Sequence, residues 1–353
     1  MLMLRCPRCR CVADLDALTC TACDLALGFH PPTLTMMQSP PDGVRLGEQR
    51  WRPCANRERL DCNWLSGSDV ETEECFACDV VRRRPDADEE SAWRKLAEAS
   101  IPKRRLLTQL AVLGLPVATF RDEAGGLAFD LISSRSSGED VTIGHASGVI
   151  TIDLVESLDE VREQNRIRLG EPYRTMLGHF RHEAGHYYQW KLVEQTARID
   201  ACRELFGDER ASYADALDRH YEEGAPQGWE EAHISEYATM HPWEDFAETF
   251  AHYLHITDTL TTVALGGVVL KAERSDGVLE RDVLPRATYV DARIEDVLDD
   301  WHWLSLLLNR ASRAMGRSHL YPFTIAEPVV AKLAFVHEVL TAVGRDTPRP
   351  ILR

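Results

Sequence analysis

The stretch His182-Glu183-Ala184-Gly185-His186 lies between two segments that are compatible with a helix. On a helix, side chains four positions apart point the same way, so His182 and His186 would face a common point. Two imidazole nitrogens in that arrangement can hold one zinc ion, while Glu183 reaches a water beside it. A helix with two solvated histidines is the alternative. The metal interpretation requires a third protein ligand elsewhere in the chain.

A candidate for the third ligand lies about 58 positions downstream, in a segment from residue 241 to 254. Pro242 suits the first turn of a helix, where its missing N–H is not needed. Glu244 and Glu248 share one helical face, so one carboxylate can bind the metal and the other can accept the distal N–H of a ligand histidine. Two solvent-exposed carboxylates are the alternative. A second face predicts a buried stripe of Trp243, Ala247, Phe250 and Leu254.

The cysteines form two groups near the start of the chain, and every one of the ten except Cys202 precedes residue 79. The first group consists of the pairs Cys6-Pro-Arg-Cys9 and Cys20-Thr-Ala-Cys23. Each pair presents two sulfurs to one ion, which is the arrangement of a tetrahedral structural zinc site. Cys11 is an extra thiol that can substitute for one of the four.

The second group consists of Cys54, Cys62, Cys75 and Cys78, of which only the last two have the spacing of a zinc knuckle. A second structural zinc site is the preferred interpretation, and packed free thiols are the alternative. The cofactors expected are therefore one catalytic zinc and one or two structural zincs. In so short a segment, metal binding would supply much of the folding free energy.

Charge and the start of the chain limit the partners and the compartment. The formal net charge is -17, which argues against nucleic acid because affinity for phosphates comes from Lys and Arg. The basic runs at 82–84 and 103–105 are expected on a solvated face or a helix end. No signal sequence or spanning segment is visible, so we expect a cytoplasmic protein without membrane contact. The cysteine-rich segment is then a candidate binding site for a protein partner.

The pattern of apolar and cysteine residues predicts an α+β fold in three segments: a zinc ribbon at 1–30, a second cysteine-rich segment and linker at 31–90, and a mainly helical domain with a small antiparallel sheet at 91–353. A helix from residue 93 to 113 is expected to break at Pro102. Short alternating runs between 117 and 153 predict a small antiparallel sheet, with strands at 127–132, 141–143 and 149–152. The last strand is a candidate edge for an extended peptide. Beyond residue 155 the chain reads as mainly helical, including helices at 294–315 and 325–343.

The combination of His182–His186 with the later Glu244–Glu248 segment resembles the gluzincin metallopeptidases, and most closely the branch that contains anthrax lethal factor. In that branch the first glutamate is the metal ligand and the second supports a histidine, which implies Glu244 and Glu248 for these roles. A tyrosine seven positions before the ligand glutamate assists catalysis there, which implies Tyr237.

The whole chain is also similar to a bacterial family of zinc-binding metallopeptidases with an N-terminal zinc ribbon. The shared segments are the ribbon cysteines, Cys62-Asn63-Trp64, 103–107, 170–174, 178–183 and 244–248. The resemblance implies a zincin-like (gluzincin) metallopeptidase domain at 91–353 and its metal site, and it names no substrate beyond a peptide or a protein.

Together these features predict hydrolysis of a peptide bond. Zinc would lower the pKa of a water, Glu183 would take its proton as general base, and Tyr237 would donate to the developing oxyanion. The alternative is a zinc-stabilised protein-binding or regulatory module whose histidine site is structural or inactive. Four further histidines are expected to be solvated, buried in the core, or near the site: His179, His241, His252 and His255.

Elemental analysis of the purified chain should find about three zinc ions per chain, two in thiolate sites and one in the histidine site. The Glu244→Ala variant should contain one zinc fewer, because the histidine site loses its third ligand. Two ions in the native chain, unchanged in the variant, would count against the histidine site and favour the binding module.

Overall fold

A computed structural model describes residues 1–67, 72–133, 144–154, 175–346 and 352. The chain divides into two compact units, the first formed by Met1–Arg162 with Asp346–Arg353 and the second by Glu163–Arg345. Among the described residues, the first unit carries the sheets and two α-helices, and the second is mainly helical. This mixture confirms the α+β class. Within the described residues, no helix combines the length and the apolar character that crossing a bilayer would need.

Short antiparallel pairs build the first part of the first unit. The strands are β1 (Leu4–Arg5), β2 (Val12–Ala13), β3 (Leu27–His30), β4 (Thr35–Gln38), β5 (Val44–Leu46), β6 (Gln49–Pro53) and β7 (Leu65–Gly67). β1 pairs with β2, β3 pairs with β4, and β6 lies between β5 and β7. Trp51 and Trp64 are both buried here, so these sheets enclose a small core beside the second cysteine group.

The first unit contains a fourth sheet. It consists of β8 (Val81–Arg83), β9 (Ala128–Ile132), β10 (Gly144–Ala146) and β11 (Val149–Asp153). Its order is β10–β11–β9–β8. The hairpin of β10 and β11 is antiparallel as expected, but β11 and β8 both run parallel to β9. The chain crosses back between β8 and β9, and it runs back along β10 before it enters β11. The strands β8, β9 and β11 therefore run in the same direction. The expected strand at 141–143 lies outside the described residues.

The expectation that residues 149–152 offer an open sheet edge is wrong. β11 pairs with β10 on one side and with β9 on the other. Both rows of its backbone hydrogen-bonding groups are therefore used within the sheet, and an added peptide strand has no place to pair.

The described part of the first unit contains two α-helices, α1 (Phe76–Asp79) and α2 (Glu90–Val112). α2 runs without interruption past Pro102, so the expected break there is wrong. Proline removes one backbone hydrogen bond, to the carbonyl of Glu98. Apolar side chains on both sides of it are buried, including Leu96, Leu106 and Leu110, and burial of that stripe offsets the missing bond.

Six helices form the described part of the second unit. They are α3 (Met176–Gln189), α4 (Ile199–Phe206), α5 (Tyr213–Glu223), α6 (Pro242–Leu265), α7 (Ile294–Ala314) and α8 (Glu327–Asp346). A short π-helical turn, Trp190–Glu194, continues α3. The last two helices agree with those expected at 294–315 and 325–343.

Side-chain caps fix where the two central helices begin. Thr175 caps α3, because its hydroxyl accepts a hydrogen bond from the N–H of Gly178 at 3.0 Å. His241 caps α6 in the same way, accepting from the N–H of Trp243 at 3.1 Å, and Pro242 occupies the first turn. These caps satisfy N–H groups that a helix leaves unpaired at its start.

Helices α3 and α6 pack closely through small residues. A Cβ placed on Gly185 would lie 2.8 Å from the Cα of Ala247, so only glycine permits this approach. Beside the contact, the rings of Tyr188 and Phe250 stack with centroids 5.7 Å apart. Ala247, Phe250 and Leu254 are buried as expected, but Trp243 is 36% exposed. Trp243 lies in the first turn of α6, where it packs beside Tyr213 and His241 instead of the core.

Gly185→Ala should therefore destabilise the protein by about 1–3 kcal/mol, because the new methyl group collides with helix backbone rather than with a flexible side chain. Thermal or denaturant unfolding measures the change. Gly266→Ala is a suitable control, since this glycine lies at the end of α6 with an ordinary backbone φ of -73°. Equal stability of Gly185→Ala and the native chain would contradict the close approach.

Candidate metal centre

Helices α3 and α6 bring three donor atoms together. The Nε2 atoms of His182 and His186 are 3.1 Å apart. Oε2 of Glu244 lies 3.0 Å from the first of these nitrogens and 3.5 Å from the second. All three residues lie in or at the edge of the interior, and the two imidazole rings are nearly perpendicular, at 84°. The sequence-predicted ligand set is thus a compact triangle of nitrogen and oxygen atoms.

This triangle has the dimensions of a zinc site. Bonds of about 2.0–2.1 Å in a tetrahedron separate neighbouring ligand atoms by about 3.3 Å, which lies within the observed 3.0–3.5 Å. Oε2 of Glu244 is also buried without a hydrogen-bond partner among the described residues. A buried carboxylate oxygen in that state is costly unless a cation satisfies it. The residues present therefore fit a zinc ion.

Glu183 lies on the same helix with its carboxylate enclosed. Its Oε1 is 3.2 Å from Nε2 of His179, and its Oε2 is buried without a hydrogen-bond partner among the described residues. Burial favours the neutral acid, but the contact with His179 and the charge of the neighbouring imidazoles outweigh it and lower the pKa of Glu183. The side chain is therefore a carboxylate at neutral pH, with one oxygen available to accept a proton.

A chain of hydrogen bonds fixes the orientation of His182. Its Nδ1 lies 2.7 Å from Oε1 of Glu248, and Oε2 of Glu248 accepts a hydrogen bond from the hydroxyl of Ser235 at 2.7 Å. Burial alone would lower the pKa of His182, but the carboxylates of Glu244 and Glu248 hold it well above its usual value. The two carboxylates therefore favour a positive charge beside this imidazole, either a proton or a metal ion, and the metal would bind the neutral ring.

Two tyrosines lie beside the triangle. The ring of Tyr237 lies 6.0 Å from the ring of His182. Tyr213, on α5, donates a hydrogen bond from its hydroxyl to Oε1 of Glu244 at 3.0 Å. Sequence reasoning missed Tyr213 and Ser235 because neither has a diagnostic spacing from the histidines. The one local signal near Tyr213 is Ser212, a typical helix cap.

Of the four further histidines, His179 faces the site, through its contact with Glu183. His241 caps α6 and places its Nε2 3.1 Å from the carbonyl of Ala211. His252 is buried with Nδ1 2.9 Å from the hydroxyl of Tyr321. His255 stacks on the same tyrosine with ring centroids 5.4 Å apart. The last three therefore serve the cap and the core.

The eight predicted cysteine ligands form two separate groups of four. In the first, the sulfurs of Cys6 and Cys23 are 3.7 Å apart and those of Cys9 and Cys20 are 3.5 Å apart. In the second, the sulfur distances are 3.7 Å for Cys54–Cys78, 3.5 Å for Cys62–Cys75 and 3.8 Å for Cys62–Cys78. A tetrahedron with Zn–S bonds of about 2.3 Å has edges of about 3.8 Å, whereas a disulfide requires about 2.05 Å. Cys11 is exposed and lies outside the first group.

Buried cations surround the second cysteine group. Lys103 and Arg104 are each 1% exposed, so the expectation that they lie on a solvated face or helix end is wrong. Lys103 Nζ donates to the carbonyl of Ala77 at 2.6 Å, between two of the cysteines. Arg104 donates to the carbonyl of Asp61 at 3.3 Å, and Arg84 to that of Cys78 at 2.7 Å. Four thiolates around one Zn²⁺ would carry an excess negative charge, which these cations are placed to balance.

The chain matches two known families. Residues 89–339, more than half of the chain, match the family described as "putative zinc-binding metallo-peptidase". The chain belongs to this family. Residues 3–89 match a zinc-ribbon domain. Both matches confirm the resemblance found in the sequence. The zinc-ribbon match spans both cysteine groups, while the division of the chain at residues 30 and 90 stays a prediction.

Relatives of this family member are found in mycobacteria. Proteins of Mycobacterium tuberculosis and Mycobacterium bovis, each described as uncharacterized, are 41% identical over 344 residues, which cover 97% of this chain and 96% of theirs. No solved structure matches the chain. The membership therefore supports zinc binding by this chain.

Glu248→Ala should weaken zinc binding at the histidine site by about 10- to 100-fold, because His182 loses the partner that orients it. Ser235→Ala should have a smaller effect in the same direction, since it removes one bond to Glu248. Competition with a chelator of known affinity measures both. Glu338→Ala, which changes an exposed carboxylate on α8, is the control. Unchanged affinity in Glu248→Ala would show that this contact does not support the metal.

Proposed function

We propose that this protein is a zinc-dependent peptidase, with His182, His186 and Glu244 as metal ligands and Glu183 as general base. One observation carries the proposal. The three donor atoms have the spacing of a zinc site, and next to them Glu183 keeps a buried carboxylate oxygen without a hydrogen-bond partner among the described residues. A purely structural zinc site has four protein ligands. Three ligands beside an available base are typical of a hydrolytic site.

The chemistry that zinc supplies in such a site is Lewis acidity, which polarises a substrate carbonyl and makes water a better acid. Glu183 takes a proton from the attacking water as the oxygen bonds to the carbonyl carbon. As the C–N bond breaks, the same carboxyl group returns the proton to the leaving amine. The net reaction adds one water across one peptide bond and leaves Glu183 as it began.

Tyr237 is proposed to donate a hydrogen bond to the oxyanion that forms on the substrate carbonyl. Its ring lies 6.0 Å from the ring of His182, so it borders the site. Removal of one such donor costs about 10²–10³ in kcat in a well-studied protease. Glu248, paired with His182, is proposed to hold that ligand in the tautomer that presents Nε2 to the metal.

The two cysteine groups are proposed to hold one structural zinc each. Their sulfur spacing supports this, and four reduced cysteines per site suit a cytoplasmic location, which we also propose. The proposed substrate is a peptide or protein, and the zinc-ribbon region is the proposed site for a protein partner. The acidic net charge of -17 does not favour nucleic acid.

Glu183→Gln should retain the full zinc content and lose peptide hydrolysis, because the amide keeps the shape of the side chain but cannot accept the proton. Elemental analysis and cleavage of a denatured protein substrate, with fragments read by mass spectrometry, measure the two properties. Glu231→Gln, an exposed glutamate, should keep both.

Undiminished cleavage by Glu183→Gln would refute the assignment of the base. If the native chain binds zinc at the histidine site and cleaves no peptide bond in a broad mixture of denatured proteins, the protein-binding module becomes the better interpretation. In an active enzyme, a mild chelator should abolish cleavage before it unfolds the chain, because three mixed ligands release zinc more readily than four thiolates.

A further inference from the structure

The two oxygens of Glu244 have different partners. Oε2 points to the nitrogens of His182 and His186, at 3.0 Å and 3.5 Å. Oε1 accepts a hydrogen bond from the hydroxyl of Tyr213 at 3.0 Å. The carboxylate is almost fully buried, so water cannot easily replace this donor. One oxygen therefore faces the metal position while the other is occupied by a neutral hydroxyl.

Tyr213 is held in place by its own surroundings. It begins α5, and the hydroxyl of Ser212 caps that helix by accepting from the N–H of Asp215 at 3.3 Å. Its ring lies 5.3 Å from the ring of His241 and 6.1 Å from that of Trp243. A phenol hydroxyl keeps its proton at neutral pH, so it stays a donor to the carboxylate.

We propose that Tyr213 is a positioning residue that keeps Glu244 a ligand through one oxygen only. This inference rests on the proposed zinc site. Two imidazoles and one carboxylate oxygen leave the fourth position of a tetrahedral zinc open for water and substrate. If both oxygens of Glu244 bound the ion, the second would fill the space that the substrate needs. The hydrogen bond from Tyr213 withholds Oε1 from the metal.

The two tyrosines at the site thereby have separate tasks. Tyr213 contacts the ligand carboxylate, whereas Tyr237 lies beside the ring of His182 and is proposed to contact the substrate. Loss of the Tyr213 hydroxyl should change the metal itself. Loss of the Tyr237 hydroxyl, which hydrogen-bonds to Tyr213, should change mainly turnover and affect the metal less.

The test uses the full chain and the Tyr213→Phe variant, which keeps the ring and removes the hydroxyl. A mild chelator removes zinc from the histidine site, the thiolate sites keep theirs, and one equivalent of cobalt(II) is added. The visible absorption of cobalt weakens as its coordination rises from four to five ligands. The spectrum of Glu244→Ala, treated in the same way, is subtracted to remove any cobalt bound to cysteine.

Tyr213→Phe should show weaker cobalt absorption than the native chain. Its affinity for zinc should be lower by about 10-fold or more, as for other partners of ligand side chains. Tyr237→Phe should change both less than Tyr213→Phe does, because the Tyr237 hydroxyl hydrogen-bonds to Tyr213 and reaches the carboxylate only through it. Ser212→Ala weakens the cap of α5 but keeps the hydroxyl of Tyr213. This variant should leave the cobalt spectrum unchanged. Tyr221→Phe, an exposed tyrosine on the same helix, serves as a second control.

A cobalt spectrum and a zinc affinity in Tyr213→Phe that equal those of the native chain would overturn the inference while leaving the peptidase proposal intact. The same shift in Ser212→Ala would also overturn it, since general loosening of α5 would then be the cause. If the native chain takes up no metal at the histidine site, the proposed function fails, and that result is visible before any tyrosine variant is compared.

Discussion

The close approach of α3 and α6 at Gly185 is the contact on which the candidate metal centre depends. At this point the backbone of Ala247 lies where a side chain would otherwise be. His182 and His186 come from one helix and Glu244 from the other, so the distance between the helix axes sets the distance between the ligands. Ridges of larger side chains would hold two helices farther apart. A glycine between the two histidines lets their nitrogens and a carboxylate oxygen meet within one coordination sphere.

Burial makes this arrangement electrostatically demanding. Three carboxylates, those of Glu183, Glu244 and Glu248, lie within or at the edge of the interior together with two imidazoles. Charges removed from water are costly unless they find partners of opposite sign. Glu248 is satisfied by His182 and Ser235, and Tyr213 satisfies half of Glu244. The remaining oxygens of Glu183 and Glu244 point to a site where a cation and a water would complete the balance.

The second cysteine group obeys the same rule. Here the site itself has excess negative charge when it holds zinc, and Lys103 and Arg104 supply the balance from α2. Their interaction with backbone carbonyls beside the cysteines also holds the knuckles in shape. The first group has no comparable burial, since Cys9 and Cys23 are partly exposed, and water can solvate its charge. The two thiolate sites are therefore similar in ligands and different in environment.

The sequence alone determined which residues are candidates to bind metal. The spacing of His182 and His186 follows from the pitch of a helix, and three of the cysteine pairs have the spacing of a knuckle, so local spacing was enough to single out these residues. Tertiary structure decided what no local period encodes. In the sequence, Lys103 and Arg104 resemble a solvated basic run, but the fold buries them beside the second cysteine group. The fold also decides that β8, β9 and β11 are parallel. Tyr213 lies 31 positions before Glu244, on another helix, and their contact exists because packing in three dimensions brings the two together.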